Sequence, residues 1–170
     1  MVSTTHAAPS GRIRETAVLF LALIVVAGVA SAQDITVQDG STAPVRISAA
    51  EIAAMPHQSA TVENHGRKIT YGGVPLRLLL EKGGITLGES IHGKRLASYL
   101  LVQAADGYRV VFALPELDPG FTDRVILLAD RADGHPLNSK AGPYQVVVPG
   151  EKRMARSARQ VTTLKILTAP

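Results

Sequence analysis

The feature of this sequence that most constrains its fold is the shortness of its apolar runs, each of which ends at a turn signal. Residues 99–103 and 108–112 are short β-like runs on either side of Asp106-Gly107, a pair that favours a tight hairpin turn. Further turns are expected at Asp39-Gly40, Asp133-Gly134 and Pro149-Gly150. We count seven or eight short strands and two short helices without regular βαβ order. This pattern predicts an α+β domain with a mixed β-sheet and short helices.

The first helix is predicted from a capping box. Ser48 and Glu51 have the spacing at which each side chain bonds the backbone N–H of the other residue. The helix should run to about Met55, because the residue before Pro56 disfavours helical geometry.

The second helix is predicted from an apolar stripe formed by Leu76, Leu79 and Leu80. Gly83-Gly84 should end it, because glycine adopts positive φ angles without penalty. Before it, we expect a strand to end at Gly72-Gly73.

Residues 1–32 have the pattern of a signal peptide. Arg12 and Arg14 precede the apolar run 17–30, and Ala30-Ser31-Ala32 gives small residues at a cleavage site. An uncleaved membrane anchor is the alternative, although a spanning helix needs about 20 apolar residues. We therefore predict a periplasmic or secreted protein that contacts the membrane only through this leader before cleavage. Residues 33–170 would form one domain.

Charge and cysteine content exclude several classes of protein. Residues 33–170 carry 16 Lys or Arg and 13 Asp or Glu, which gives a net charge of +3. This small surplus does not indicate a nucleic-acid partner, and aromatic residues make up only 4% of the chain, too few for a base-stacking platform. The absence of cysteine leaves core burial, without disulfides, as the source of stability.

Five segments of the chain, taken in order, carry a family resemblance. They are Tyr-Gly-Gly-Val-Pro-Leu with the following Leu-Leu and Gly-Gly (71–84), Asp-Gly-Tyr (106–108), Ile-Leu-Leu-Ala with Asp-Gly-His-Pro-Leu (126–137), Gly-Pro-Tyr-Gln-Val-Val-Val-Pro-Gly (142–150) and Arg-Ser-Ala-Arg (156–159). Together they resemble the molybdopterin-binding domain of the sulfite-oxidase family over about residues 45–168. The resemblance implies that family's α+β fold.

Three departures from the family pattern bear on chemistry. The family holds molybdenum through a cysteine thiolate in the stretch that corresponds to residues 62–66, and this chain has no cysteine. Soft thiolate ligands select and tune such metals, and a carboxylate or an imidazole is a harder ligand. Gln145 lies near the place of a family arginine, and Arg159-Gln160 replaces a Lys-Trp pair. The resemblance therefore implies a domain that cannot hold molybdenum as the family does, and we predict no metal site and no catalytic residue.

The candidate cofactor- or ligand-binding residues lie in two segments. Arg153, Arg156 and Arg159, together with Ser157, follow the Pro149-Gly150 turn and form a candidate anion clamp, because arginine presents forked donors to oxyanions. His65 falls in the segment where the family's metal ligand would lie. The alternative is a charged loop that is merely exposed, with a surface histidine. Convergence on one pocket would distinguish the two.

We expect this protein to act as an exported accessory protein, without a cofactor, that binds a small anionic ligand or an envelope protein partner. One alternative is a periplasmic oxidoreductase that binds molybdopterin without a protein thiolate. If the chain is an enzyme, we expect this molybdopterin-dependent oxidoreductase activity. A further alternative is a structural interaction module of an envelope complex.

Overall fold

The computed structural model describes residues 1–3, 33–64 and 66–170. Residues 4–32, which make up most of the predicted signal peptide, and His65 lie outside the described residues. The strands of the described part are β1 (Ile35–Asp39), β2 (Val45–Ile47), β3 (Gln58–Asn64), β4 (Arg67–Pro75), β5 (Ser98–Ala104), β6 (Arg109–Ala113), β7 (Leu127–Ala132), β8 (His135–Pro136), β9 (Gln145–Val147) and β10 (Val161–Thr168). The α-helices are α1 (Ala49–Ala54) and α2 (Leu76–Lys82). None of the described helices combines the length and the apolar character needed to cross a membrane.

The strands form two five-stranded sheets. Sheet A has the order β2-β1-β10-β5-β6, in which β1 and β10 are parallel and the other pairs are antiparallel. Sheet B has the order β3-β4-β7-β8, and β9 also pairs with β7. Two sheets, one of them mixed, together with two short helices confirm the predicted α+β class.

The cap of α1 forms as the sequence predicts. The Ser48 hydroxyl accepts the Glu51 N–H at 3.2 Å, and the Ser48 N–H donates to the Glu51 carboxylate at 3.0 Å. The backbone and side-chain hydrogen bonds from Ser48, followed by those of Lys82, lower the pKa of Glu51 from 4.5 to about 2. The helix ends at Ala54, and buried Ile52 anchors it to the core.

The prediction that a strand ends at Gly72-Gly73 is wrong, because β4 continues through both glycines to Pro75. A Cβ on Gly73 would collide with the Leu128 carbonyl oxygen in β7, and the register between β4 and β7 shifts between the two glycines. Glycine is present here because a neighbouring backbone passes too close for a side chain.

Two other strand predictions need correction. The apolar run of residues 124–129 predicts a strand over that range, but the strand lies at Leu127–Ala132, because residues before Leu127 belong to a loop in which buried Asp118 accepts backbone N–H groups. The described residues also contain more strands than predicted. One addition is the two-residue β8, which pairs back onto β7 across the Asp133-Gly134 turn.

The two faces of sheet B belong to different apolar clusters. The main core combines side chains of both sheets and both helices, and Leu128 and Val146 belong to it. Leu127, Ala129 and Val147 point to the opposite face and form a smaller cluster. This alternation follows from the two-residue period of a strand. The smaller cluster forms the base on which the candidate site lies.

Candidate functional site

A groove of about 640 Å³ lies on the outer face of sheet B. Its floor is apolar and includes Ile69 and Tyr71 of β4 and Ala132 of β7. The register of β4 places Ile69 and Tyr71 on one face, since they are two residues apart. We call this surface the cationic groove, because Arg67, Lys140 and Arg159 also line it.

Each of the three cations comes from a different part of the chain. Arg67 begins β4 at the end of the β3–β4 hairpin, where it pairs with Asn64. Lys140 lies in the loop after β8, and Arg159 lies just before β10. Only the folded chain brings these residues to one groove.

Two hydrogen bonds from Gln160 hold the loop that carries Lys140 beside Arg159. The Gln160 N–H donates to the Ala141 carbonyl oxygen at 3.0 Å, and the Gln160 side-chain amide donates to the Ser139 carbonyl oxygen at 2.9 Å. These bonds span about twenty residues of sequence and connect the loop directly to the neighbour of Arg159.

One acidic residue offsets part of the positive charge of the groove. Asp133 also lines the cationic groove, and its carboxylate forms an ion pair with the Arg67 guanidinium at 3.5 Å. Within the described residues, Lys140 and Arg159 form no ion pair with a carboxylate. The groove therefore keeps two unpaired cations, which favours the binding of an anion.

The Tyr71 phenol lies within the electrostatic influence of these groups. Burial raises its pKa, and the nearby positive charge of Arg159 only partly offsets this effect. The phenol therefore stays protonated at neutral pH, and its hydroxyl can donate a hydrogen bond to an anion in the groove.

A second depression of about 280 Å³, which we call the side cleft, adjoins the cationic groove. Gln145 and Arg159 line both depressions. They pair with each other as an antiparallel bridge, so their side chains lie on the same face. Asn64 and Ser157 line the side cleft as well.

The structure brings together part of the candidate set from the sequence. Ser157 and Arg159 share the side cleft with Asn64, the residue before His65. His65 itself lies outside the described residues. Arg153 is exposed and lines neither the cationic groove nor the side cleft.

Arg156 is engaged with the protein's own carboxylates. Its Nε donates to Glu151 at 2.8 Å, and its Nη2 donates to Glu116 at 3.2 Å. Nη1 donates to the Val111 carbonyl oxygen at 3.3 Å, and the guanidinium lies 4.5 Å from the centroid of the Phe112 ring. Burial raises the pKa of Glu116, but hydrogen bonds from Arg156 and from the backbone outweigh burial and lower it overall. An anion could contact the Arg156 guanidinium only if its hydrogen bonds with Glu151 and Glu116 were broken.

Sequence reasoning did not identify Arg67, Lys140 or Tyr71 as site residues. Arg67 adjoins Lys68 at the start of a strand, Lys140 is a single basic residue in a loop, and Tyr71 lies within a motif that indicated a strand end. Gln145 was noted only as a substitution for a family arginine. Their common signal is spatial, because all four line one groove.

The residues that line the site lack the thiolate ligand through which the sulfite-oxidase family holds molybdenum. The 170 residues contain no cysteine, and no group of three or more His, Asp or Glu residues in the described ranges could hold a metal ion. The groove offers cations and neutral hydrogen-bonding groups, which suit an anion.

Comparison of the sequence with protein-family models and with curated proteins gives no match. Among solved structures, the chain is similar to the sulfane dehydrogenase SoxCD from Paracoccus pantotrophus, with a TM-score of 0.61 and 18% sequence identity. The similarity covers 79% of this chain and 38% of that chain, so this chain spans well under half of its neighbour's length. At this identity the likeness shows a related fold alone.

Proposed function

We propose that this protein is an exported accessory protein that binds a small anionic ligand in the cationic groove and does not hold molybdenum. The observation that carries the proposal is the convergence of Arg67, Lys140 and Arg159 around the buried Tyr71 phenol. Two of these cations have no carboxylate partner in the described part of the chain. The leader predicted over residues 1–32 supports a place in the periplasm or outside the cell.

The proposal is tested by calorimetric titration of the protein, isolated after export of the full chain, with sulfate, phosphate and acetate. We expect saturable binding of at least one anion. Arg159→Ala and Lys140→Ala should each weaken it about tenfold, which corresponds to roughly 1.4 kcal/mol. Arg46→Ala is the matched control, because it removes the same charge from a residue of β2 that lines neither depression.

Binding that is absent for all three anions, or equally weak in Arg46→Ala and Arg159→Ala, would contradict the proposal. Metal analysis of the same preparation should find no stoichiometric molybdenum. Tightly held molybdenum would end the proposal whatever its ligand.

The second candidate is an oxidoreductase that binds molybdopterin without a protein thiolate. The observation in its favour is the size and charge of the cationic groove, which would accept a phosphate group beside an apolar floor. Arg67, Lys140 and Arg159 would hold the phosphate. Pterin fluorescence of the denatured protein, purified from molybdate-replete cells, decides this candidate, because a preparation that contains no pterin excludes it.

A further inference from the structure

One edge of sheet B is a long strand that pairs on one side alone. Among the described residues, β3 pairs only with β4, and the register of this pair runs without a shift over all seven residues of β3. Ser59, Thr61 and Glu63 are exposed. The strand contains no proline, lysine or bulge, which are features that commonly prevent an edge strand from pairing with another chain.

The edge strands β2, β6 and β8 are less open to a further strand. β2 has three residues, and β8 has two and includes Pro136. At β6, Nη1 of Arg156 donates to the Val111 carbonyl oxygen at 3.3 Å. Of the described edges, β3 therefore offers the longest row of backbone groups for pairing.

The backbone groups that point outward from β3 follow from the bonds of β4. The Thr70 N–H donates to the Asp133 carboxylate at 2.9 Å, and the Thr70 carbonyl oxygen accepts the Asp133 N–H at 2.7 Å. Both Thr70 groups thus point toward the β7 side, and Thr61 lies opposite Thr70 in β3. Because opposed residues of an antiparallel pair either exchange both bonds or point both groups away, the N–H and C=O of Thr61 point away from β4. The two-residue period gives Ser59 and Glu63 the same orientation.

A second copy of β3 is complementary to this row. In an antiparallel pair centred on Thr61, Thr61 lies opposite Thr61 of the second copy, and Ser59 lies opposite Glu63. Every residue with outward backbone groups then meets another such residue, and no two carboxylates are opposed. Glu63 of the second copy also falls in the row that contains Gly72, the neighbour of Ser59 in β4. The Arg131 side chain covers Gly72, so the row offers this carboxylate a cation.

The apolar side of β3 matches in the same register. Ala60 and Val62 contact the smaller apolar cluster, and Ala60 of one copy would lie opposite Val62 of the other. Within one copy, Ala60 and Val62 pair with Tyr71 and Ile69 of the groove floor. The apolar floor would therefore continue from one copy into the next.

We propose that β3 is the interface of a two-fold symmetric dimer, in which two copies of sheet B join edge to edge as one continuous sheet. The charge pattern and the apolar row favour a second copy of this chain as the occupant of the edge. The two-fold axis would stand perpendicular to the sheet and place both cationic grooves on the same face. Since neighbouring strands lie about 4.8 Å apart, the two β4 strands would be about 14 Å apart.

The test is sedimentation velocity of the protein isolated after export of the full chain. The concentration should span about 1–300 μM, because so small an interface should have a dissociation constant on the order of 10 μM. We expect a monomer at the low end and a dimer at the high end. Amide hydrogen exchange should slow with concentration at Ser59, Thr61 and Glu63, whereas Ala60 and Val62 already face β4.

Substitutions at the two-fold axis identify the occupant. Thr61→Lys and Thr61→Glu should each weaken the dimer at least about tenfold, because each new charge would meet its own copy. An equimolar mixture of the two variants should associate again, because opposite charges then face each other. Thr86→Lys and Thr86→Glu are the matched controls and should leave the dimer unchanged, because Thr86 is an exposed residue of the loop after α2, outside sheet B.

Circular dichroism checks that each variant folds. If the Thr61 charge variants do not fold, Thr61→Pro replaces them, because it removes an N–H that points away from β4. A chain that stays monomeric over the whole concentration range, or a dimer that the Thr61 variants retain, would overturn the proposal. Protection of the β3 amides that appears only on addition of another protein would assign the edge to that protein and also overturn it.

Discussion

Replacing Arg156 by alanine separates a structural role for this residue from a role in binding. Arg156 connects the segment after β9 to β6 and to the turn that follows β6, through Glu151, Glu116 and the ring of Phe112. The substitution removes all three interactions and leaves two carboxylates without their common cation. Stability should fall, and ligand affinity should not change.

The magnitude follows from the geometry. Each charge-assisted hydrogen bond at this site should contribute about 0.5–1 kcal/mol, because the Arg156 side chain is 30% exposed and solvent screens the ion pairs. The contact with the Phe112 ring adds about 0.5–1 kcal/mol. A total loss of about 2 kcal/mol corresponds to a fall of roughly 6–8 °C in Tm for a domain of this size.

The assay is thermal unfolding followed by circular dichroism, at pH 7 and at several lower pH values. The folded-state pKa of Glu116 lies below its ordinary value of 4.5, so its contribution is complete above that pH and is lost as the pH falls through the folded value. The difference in Tm between the wild-type protein and Arg156→Ala should therefore shrink below about pH 4.5.

Arg153→Ala is the control, because Arg153 is exposed and lines neither depression, and it should leave Tm unchanged. An Arg156→Ala variant with unaltered Tm and weakened anion binding would refute the structural role and restore the anion clamp predicted from the sequence.

Three further predictions concern the fold. Gly73→Ala should destabilise the protein by about 3 kcal/mol in urea denaturation, because the new methyl group would collide with the Leu128 backbone. A variant whose urea midpoint equals that of the wild-type protein would contradict the close approach of β7 to β4. Asp118→Ala should cost about 2 kcal/mol in thermal unfolding, because it removes the buried carboxylate that accepts the Gly88 and Gly120 N–H groups, and a loss below about 0.5 kcal/mol would argue against those bonds. The lowered pKa of Glu51 places its stabilising contribution above pH 4.5 and removes it as the pH falls toward 2, so Tm should decline over that interval in the wild-type protein and less in Glu51→Gln.

Local elements were the most predictable part of the fold. The capping box at Ser48 and the Asp106-Gly107 hairpin depend on residues close together in sequence, and both form as predicted. The continuation of β4 through Gly72-Gly73 was not predictable, because glycine ends many strands and only the approach of β7 explains it here.

The candidate site was only partly predictable for the same reason. Ser157 and Arg159 line the side cleft, but their neighbour Arg156 turns to carboxylates that lie 40 and 5 residues away in sequence. A run of basic residues indicates charge, whereas the partners of each charge depend on which strands lie beside it.

The sequence by itself determined the α+β class, the caps and turns, and the absence of any cysteine for a metal, because these depend on composition and on neighbouring residues. Only the tertiary structure decided that Arg67, Lys140 and Arg159 share one groove, that Arg156 is paired within the protein, and that Gln145 lines both depressions. The physical reason is that charge pairing and burial depend on distances in space, and the packing of strands and loops from distant parts of the chain sets those distances.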